Sequence, residues 1–189
     1  GGFNGMIRKN LDEPGEATVS TVLFSDRSHV LHDRLDIREV PALTSRDYRC
    51  SGCTALLDAI GGAIKHIDLV QSILPREYRA DSVLFVITTD GMENASRNYS
   101  LRKVRHMIER HQEMGWEFLF IGANIDAIGE AGRLGIAREH AVDYLADAQG
   151  TAKVYEAAAC AVSNIRLGAP VAPGWKSDIE QDMRTRGKR

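Results

Sequence analysis

Two polar side chains, one directly after a predicted strand and one at the start of the predicted helix upstream, are of types that bind hard cations. Asp90 directly follows an apolar run in the stretch V-L-F-V-I-T-T-D-G-M-E-N, and Thr54 opens a long apolar stripe of helical period. Carboxylate and hydroxyl oxygens are ligands that Mg²⁺ and Ca²⁺ prefer. Spacing alone supports two interpretations. Thr54 and Asp90 are metal ligands, or they are an ordinary helix cap and an Asp turn after a strand.

The other motifs are weaker evidence for a catalytic or metal-binding site. Cys50 and Cys53 form a C-x-x-C, but no second pair of zinc ligands accompanies them, so incidental loop cysteines are the simpler interpretation. The six histidines show no metal-binding spacing. Asp126 follows a predicted strand and is expected to cap a short helix. The sequence contains no G-x-G-x-x-G, P-loop or G-x-S-x-G motif.

Composition and charge exclude several classes of function. The 189 residues have a net charge of −2 and a pI near 6.3, which gives no electrostatic reason to expect nucleic acid or an anionic membrane as partner. No apolar segment approaches the roughly 20 residues of a membrane span. Three cysteines imply no disulfide framework, and a reducing, cytoplasmic location is expected. The first residue is glycine, so we expect a fragment or a processed chain.

Five segments have the pattern of strands. Residues 83–87 are continuously apolar, which is typical of a strand buried on both faces in the middle of a parallel sheet. Residues 117–122 predict a second buried strand, residues 17–24 a third, and residues 141–145 a weak one. Residues 29–40 alternate between apolar and polar side chains, which predicts a half-exposed edge strand paired antiparallel with its predecessor.

Helical periodicity separates these strands. It predicts helices over about residues 2–11, 54–70, 101–114, 126–134 and 151–167. The order predicts an α/β, Rossmann-like three-layer sandwich with helices on both faces of a mostly parallel sheet and one antiparallel edge strand. Residues 168–189 lack periodicity and are predicted to be a mobile C-terminal tail.

Two segments of the chain resemble the von Willebrand factor A (VWA) domain family, most closely its small bacterial members. They are G-C-T-A-L-L-D-A-I at residues 52–60 and V-L-F-V-I-T-T-D-G-M-E-N-A-S at residues 83–96, and the likeness covers residues 1–167. That family builds a metal-ion-dependent adhesion site from an Asp-x-Ser-x-Ser motif, a Thr that opens a later helix, and an Asp after the fourth strand. Thr54 and Asp90 match the second and third parts. The resemblance implies Mg²⁺ or Mn²⁺ as cofactor and a protein partner that supplies an acidic ligand.

The first part of that site is missing from the sequence. No Asp-x-Ser-x-Ser follows any strand, and the family pattern would place the motif and its strand just before Gly1. That strand normally lies between the strands at 17–24 and 83–87. Without it we expect a split sheet with two unpaired edges, filled by a partner or by a segment swapped in an oligomer. Thr54 and Asp90 alone do not predict a tight site, because Mg²⁺ would keep mostly water.

Three functions therefore compete. The leading one is a protein-binding module of VWA type that captures its partner through a metal held by Thr54 and Asp90. An alternative is a Mg²⁺-dependent, haloacid dehalogenase-like phosphatase, since T-D-G-M-E-N is similar to the G-D-G-x-N-D loop of those enzymes. Their Asp-x-Asp nucleophile motif is absent here. The third is a degenerate VWA scaffold that binds no metal.

Overall fold

The protein has a mixed α/β fold, seen in a computed structural model that describes residues 2–44, 46–47 and 52–187. The strands are β1 (Thr18–Phe24), β2 (Ser28–Asp36), β3 (Leu84–Thr89), β4 (Glu117–Ala123) and β5 (Ala141–Tyr144). The helices are α1 (Gly2–Lys9), α2 (Leu56–Ile73), α3 (Leu101–Glu113), α4 (Ala127–Arg133), α5 (Ala148–Arg166) and α6 (Ser177–Arg186). No helix within the described ranges is both long and apolar enough to cross a membrane.

The strands form two separate sheets within the described residues. β1 and β2 pair antiparallel, as the alternating pattern predicts, and β3, β4 and β5 form a parallel sheet in that order. The prediction of one mostly parallel sheet carrying an antiparallel edge strand is therefore wrong, because β1 does not pair with β3. The prediction that β3 is the central strand is wrong too, because β4 holds that position and, among the strands that the structure describes, β3 pairs only with β4.

The division between β1 and β3 is the one expected when no strand lies between them. A backbone bond from Glu117 N–H to the Val83 carbonyl sets the β3–β4 ladder, so odd-numbered residues of β3 bond to β4. The N–H and C=O groups of Leu84, Val86 and Thr88 consequently point to the open side. Within the described residues, these groups make no hydrogen bond outside the ladder.

The core occupies both faces of the parallel sheet, because successive side chains of β4 point in opposite directions. Phe118 and Phe120 pack on one face with residues of α2 and α3. Leu119 and Ile121 pack on the other face with residues of α5 and α6. α2 also packs on β1, so one helix lies against both sheets.

Over residues 168–187 the C-terminal segment packs on the rest of the fold, which differs from the prediction of a mobile tail over residues 168–189. α6 packs on β5 and α5 and buries Ile179. Trp175 is only 7% exposed, and its indole N–H donates to the Glu139 carbonyl at 2.8 Å. The segment lacks an apolar period because isolated contacts of Trp175 and Ile179, rather than a continuous stripe, hold it in place.

Candidate functional site

Thr54 and Asp90 lie in loops that the structure brings into contact. Asp90 follows the carboxyl end of β3 and is exposed, while Thr54 is half-buried and lies two residues before α2. The Thr54 hydroxyl oxygen would be 2.8 Å from a Cβ placed on Gly91. A side chain at position 91 would therefore push the hydroxyl away, and glycine permits the close approach. Helix α2 begins at Leu56 with Ala55 as its N-cap, so Thr54 does not open the helix as predicted.

Asn94 fixes Thr54 against the loop that follows β3. The Thr54 N–H donates to Asn94 Oδ1 at 2.8 Å, and the Asn94 N–H donates to the Thr54 carbonyl at 3.0 Å. The Ala95 N–H donates to the same carbonyl at 3.3 Å. Residues 90–99 form what we call the clamp loop, because their contacts hold β3 and α2 in fixed relation.

Glu93 and Ser96 cap α2 from a distance in sequence. Ala55 has no side-chain oxygen to satisfy the first N–H groups of the helix, which need acceptors. The Leu57 N–H donates to Glu93 Oε2 at 2.9 Å, and the Asp58 N–H donates to Ser96 Oγ at 3.0 Å. Glu93 also accepts hydrogen bonds from the N–H groups of Ala95 and Ser96 and from the Ser96 hydroxyl.

Asp58 makes the reciprocal contact, from α2 to the far end of the clamp loop. Its carboxylate accepts backbone hydrogen bonds from Arg97, Asn98 and Tyr99 at 2.8–2.9 Å. The Asn98 side-chain amide adds a fourth bond at 2.9 Å. Two carboxylates, one on each element, thus anchor the clamp loop at both of its ends.

These hydrogen bonds favour the ionised carboxylates. Burial alone would raise the pKa of Glu93, but the hydrogen bonds from Leu57 and Ser96 outweigh it and place the pKa below its usual 4.5. Burial likewise acts to raise the pKa of Asp58, and the bonds from Arg97, Asn98 and Tyr99 lower it below 3.8. Both groups are therefore charged at neutral pH.

Tyr144, at the end of β5, belongs to the same edge of the sheet. Burial raises the pKa of its phenol above 10.0, and the negative charge of Asp90 adds to this shift. Parallel strands end at one edge of a sheet, which is where open α/β sheets place their ligands. The negative charge of Asp90 therefore disfavours ionisation of the Tyr144 phenol at this edge.

The remaining predicted features have simpler roles. Asp126 accepts a hydrogen bond from the Gly129 N–H and caps α4, as predicted. Cys53 is exposed as a free thiol, while Cys50 lies outside the described residues. Among the residues that the structure describes, no group of three or more His, Cys, Asp or Glu side chains is placed to hold a metal ion.

Sequence reasoning missed Glu93, Asp58, Asn94 and Tyr144. The predicted helix begins at Thr54, which can itself cap it, so the sequence gives no reason to expect a distant cap. The structure supplies the cap from the polar stretch E-N-A-S-R-N after the Asp90 turn. Pairing that stretch with α2 requires the tertiary structure, because the hydrogen-bonded partners are 36–41 residues apart in sequence.

Comparison with protein-family models, curated proteins and solved structures gives no match for this chain.

Proposed function

We propose that the protein is a protein-binding module of VWA type, and that its partner-binding edge comprises Thr54, Asp90 and Met92. The proposal also takes the fold to be a variant of the Rossmann-like three-layer sandwich, with the sheet interrupted between β1 and β3. Support for the fold comes from the parallel order of β3, β4 and β5 and from the apolar clusters on both of their faces.

The clamp loop is the observation that carries the proposed function. A binding site needs a rigid element to carry its side chains. Glu93, Asp58 and Asn94 hold the loop by backbone bonds, and none of those bonds involves the side chains of Asp90 or Met92. Met92 is 57% exposed, and a flexible thioether beside a carboxylate suits a protein surface. The loop thus presents two free side chains from a fixed backbone.

Metal coordination fits this edge only in part. Thr54 and Asp90 supply one hydroxyl and one carboxylate, fewer than the six oxygen ligands that Mg²⁺ prefers. A bound Mg²⁺ or Mn²⁺ would serve as a Lewis acid that attracts the carboxylate of an acidic partner. Among the described residues no group of three or more His, Cys, Asp or Glu side chains is placed to complete the site, so we expect weak, millimolar metal affinity without the partner.

Affinity capture with matched variants tests the proposal. The immobilised protein and its Asp90→Ala and Asp81→Ala variants are incubated with extract of the source cells in Mg²⁺ and then in EDTA. Asp81 is an exposed acid before β3, at the opposite edge of the sheet, and serves as the control.

We expect the Asp81→Ala variant to capture a protein that the Asp90→Ala variant does not capture. With that partner purified, the dissociation constant should be about tenfold or more higher for Asp90→Ala. Equal capture by both variants would contradict the proposed edge. Hydrolysis of p-nitrophenyl phosphate that depends on Asp90 and Mg²⁺ would contradict the binding function in favour of the phosphatase.

A further inference from the structure

The segment from Arg97 to Arg110 concentrates positive charge in a chain that is negative overall. It contains five arginine and lysine residues and one glutamate, whereas the whole chain has a net charge of −2. We call the exposed basic side chains of this segment that have no carboxylate partner among the described residues the α3 basic surface. Its members are Arg97, Arg102, Lys103, His106 and Arg110.

Helix α3 presents this surface because its apolar side chains face the core. Val104, Ile108 and His111 are buried against the sheet. On the opposite side Arg102, His106 and Arg110 follow one another at intervals of four residues. At a rise of about 1.5 Å per residue these side chains form a row with steps of about 6 Å.

The acid and the aromatic ring near this row contact other side chains of the segment. Glu109 pairs with Arg105 at 2.7 Å, and Lys103 lies 4.5 Å from the centre of the Tyr99 ring. Within the described part of the chain, the side chains of Arg102, His106 and Arg110 make no hydrogen bond or ion pair.

The row also matches the repeat of an extended chain. Alternate side chains of an extended peptide lie on one side at intervals of about 7 Å. A peptide with Asp or Glu at every second position therefore brings one carboxylate to each basic side chain in turn. A nucleic acid suits the surface less well, because its binding normally requires more cations and a positive domain.

The surface is continuous with the proposed partner-binding edge. Arg97 lies in the clamp loop, where its backbone N–H donates to Asp58, and α3 begins at Leu101, shortly after it. The α3 basic surface therefore follows the clamp loop directly along the chain.

We propose that the α3 basic surface binds an extended acidic segment of a partner protein. The inference rests on the proposed protein-binding function and names the chemistry of the partner. It requires neither the metal nor Asp90, so the two proposals fail separately.

An NMR titration tests it. The ¹⁵N-labelled protein is titrated with the peptide (Glu-Ser)₆ at 50 mM NaCl in EDTA, with (Gln-Ser)₆ as the neutral peptide. The variant Arg102→Glu/Arg110→Glu is compared with Arg27→Glu/Arg76→Glu, which makes the same change of net charge at exposed sites outside α3. Thermal melts by circular dichroism confirm folding, and Arg102→Gln/Arg110→Gln replaces the reversal variant if that variant fails to fold.

We expect amide shifts along α3, a dissociation constant raised about tenfold or more by the α3 variant, and a change below about twofold in the control variant. Binding should persist in Asp90→Ala and weaken at 300 mM NaCl. No binding, equal loss in both charge variants, or loss only in Asp90→Ala would overturn the proposal, and the last result would leave the proposed edge standing. Tighter binding of the oligonucleotide dT12 to the same residues would overturn it in favour of nucleic acid.

Discussion

Glu93 links α2 to the clamp loop, so we expect its replacement to destabilise the candidate site more than replacement of any other residue there. Its carboxylate accepts hydrogen bonds from Leu57 in α2 and from Ala95 and Ser96 in the clamp loop. A neutral amide has one acceptor oxygen and turns donors toward N–H groups. Position 93 therefore requires a carboxylate, and glutamine, its closest isostere, cannot accept the same hydrogen bonds.

Glu93→Gln should lower the free energy of unfolding by about 1–3 kcal/mol, the usual cost of leaving partly buried donors without a charged acceptor. Urea denaturation measures the change. Glu77→Gln is the matched control, since Glu77 is exposed and makes no side-chain hydrogen bond or ion pair within the described residues, and it should stay within about 0.5 kcal/mol of the wild type. Equal stability of the two variants would show that the Glu93 contacts contribute nothing net.

The difference between wild type and Glu93→Gln should depend on pH. The folded-state pKa of Glu93 lies below the usual 4.5, so its ionisation stabilises the fold above that pH, and this contribution is lost as the pH falls through 4.5 toward the folded value. Urea unfolding at pH 7 and at about pH 3 measures the change. A stability difference that stays constant across this range would contradict the assigned cause.

At the scale of elements, α6 and β3 show what the sequence could and could not predict. The bounds of α3, β4 and α4 follow from periodicity and caps, and the structure confirms them within about two residues. α6 was missed because most of its residues are polar or charged. Its stability comes from Trp175 and from the ion pairs of Arg186 with Asp147 and Asp182. Contacts of this kind depend on tertiary structure and leave no apolar period in the sequence.

Trp175→Ala should therefore destabilise the protein by about 3–5 kcal/mol, as expected for truncating a buried aromatic residue. Trp175→Phe keeps most of the buried ring area and loses the bond to the Glu139 carbonyl, so it should cost about 1 kcal/mol. Urea denaturation and the rate of tryptic cleavage within α6 measure both. If Trp175→Ala changed neither the free energy of unfolding nor the cleavage rate, the result would contradict the packed segment and favour the mobile tail that its composition predicts.

At the scale of the whole molecule, the open side of β3 is the main consequence of the divided sheet. An apolar run rich in β-branched residues predicts a strand in the middle of a sheet, but within the described residues β3 pairs only with β4. Periodicity reports how buried a strand is and carries no information on which strands pair with it. Residue type and position make Thr54 and Asp90 candidates for the site, whereas the clamp loop requires the tertiary structure, because its hydrogen-bonded partners are 36–41 residues apart in sequence.

Hydrogen exchange should show the open side directly. Amides of Phe85, Ile87 and Thr89 donate to β4 and should exchange about tenfold or more slowly than those of Leu84, Val86 and Thr88. Residue-resolved exchange by NMR measures this alternation. Uniform protection along β3 would mean that the outer edge is paired in solution, by another copy or by another segment.

The claim that Thr54 and Asp90 act together at the end of β3 is tested most directly by a Mn²⁺ titration followed through amide resonances. Paramagnetic Mn²⁺ should broaden the signals of Thr54, Asp90 and Gly91 first, with millimolar affinity. Asp90→Ala should abolish this selective broadening, and Asp81→Ala should leave it unchanged. Broadening that begins elsewhere, or that survives Asp90→Ala, would contradict the account.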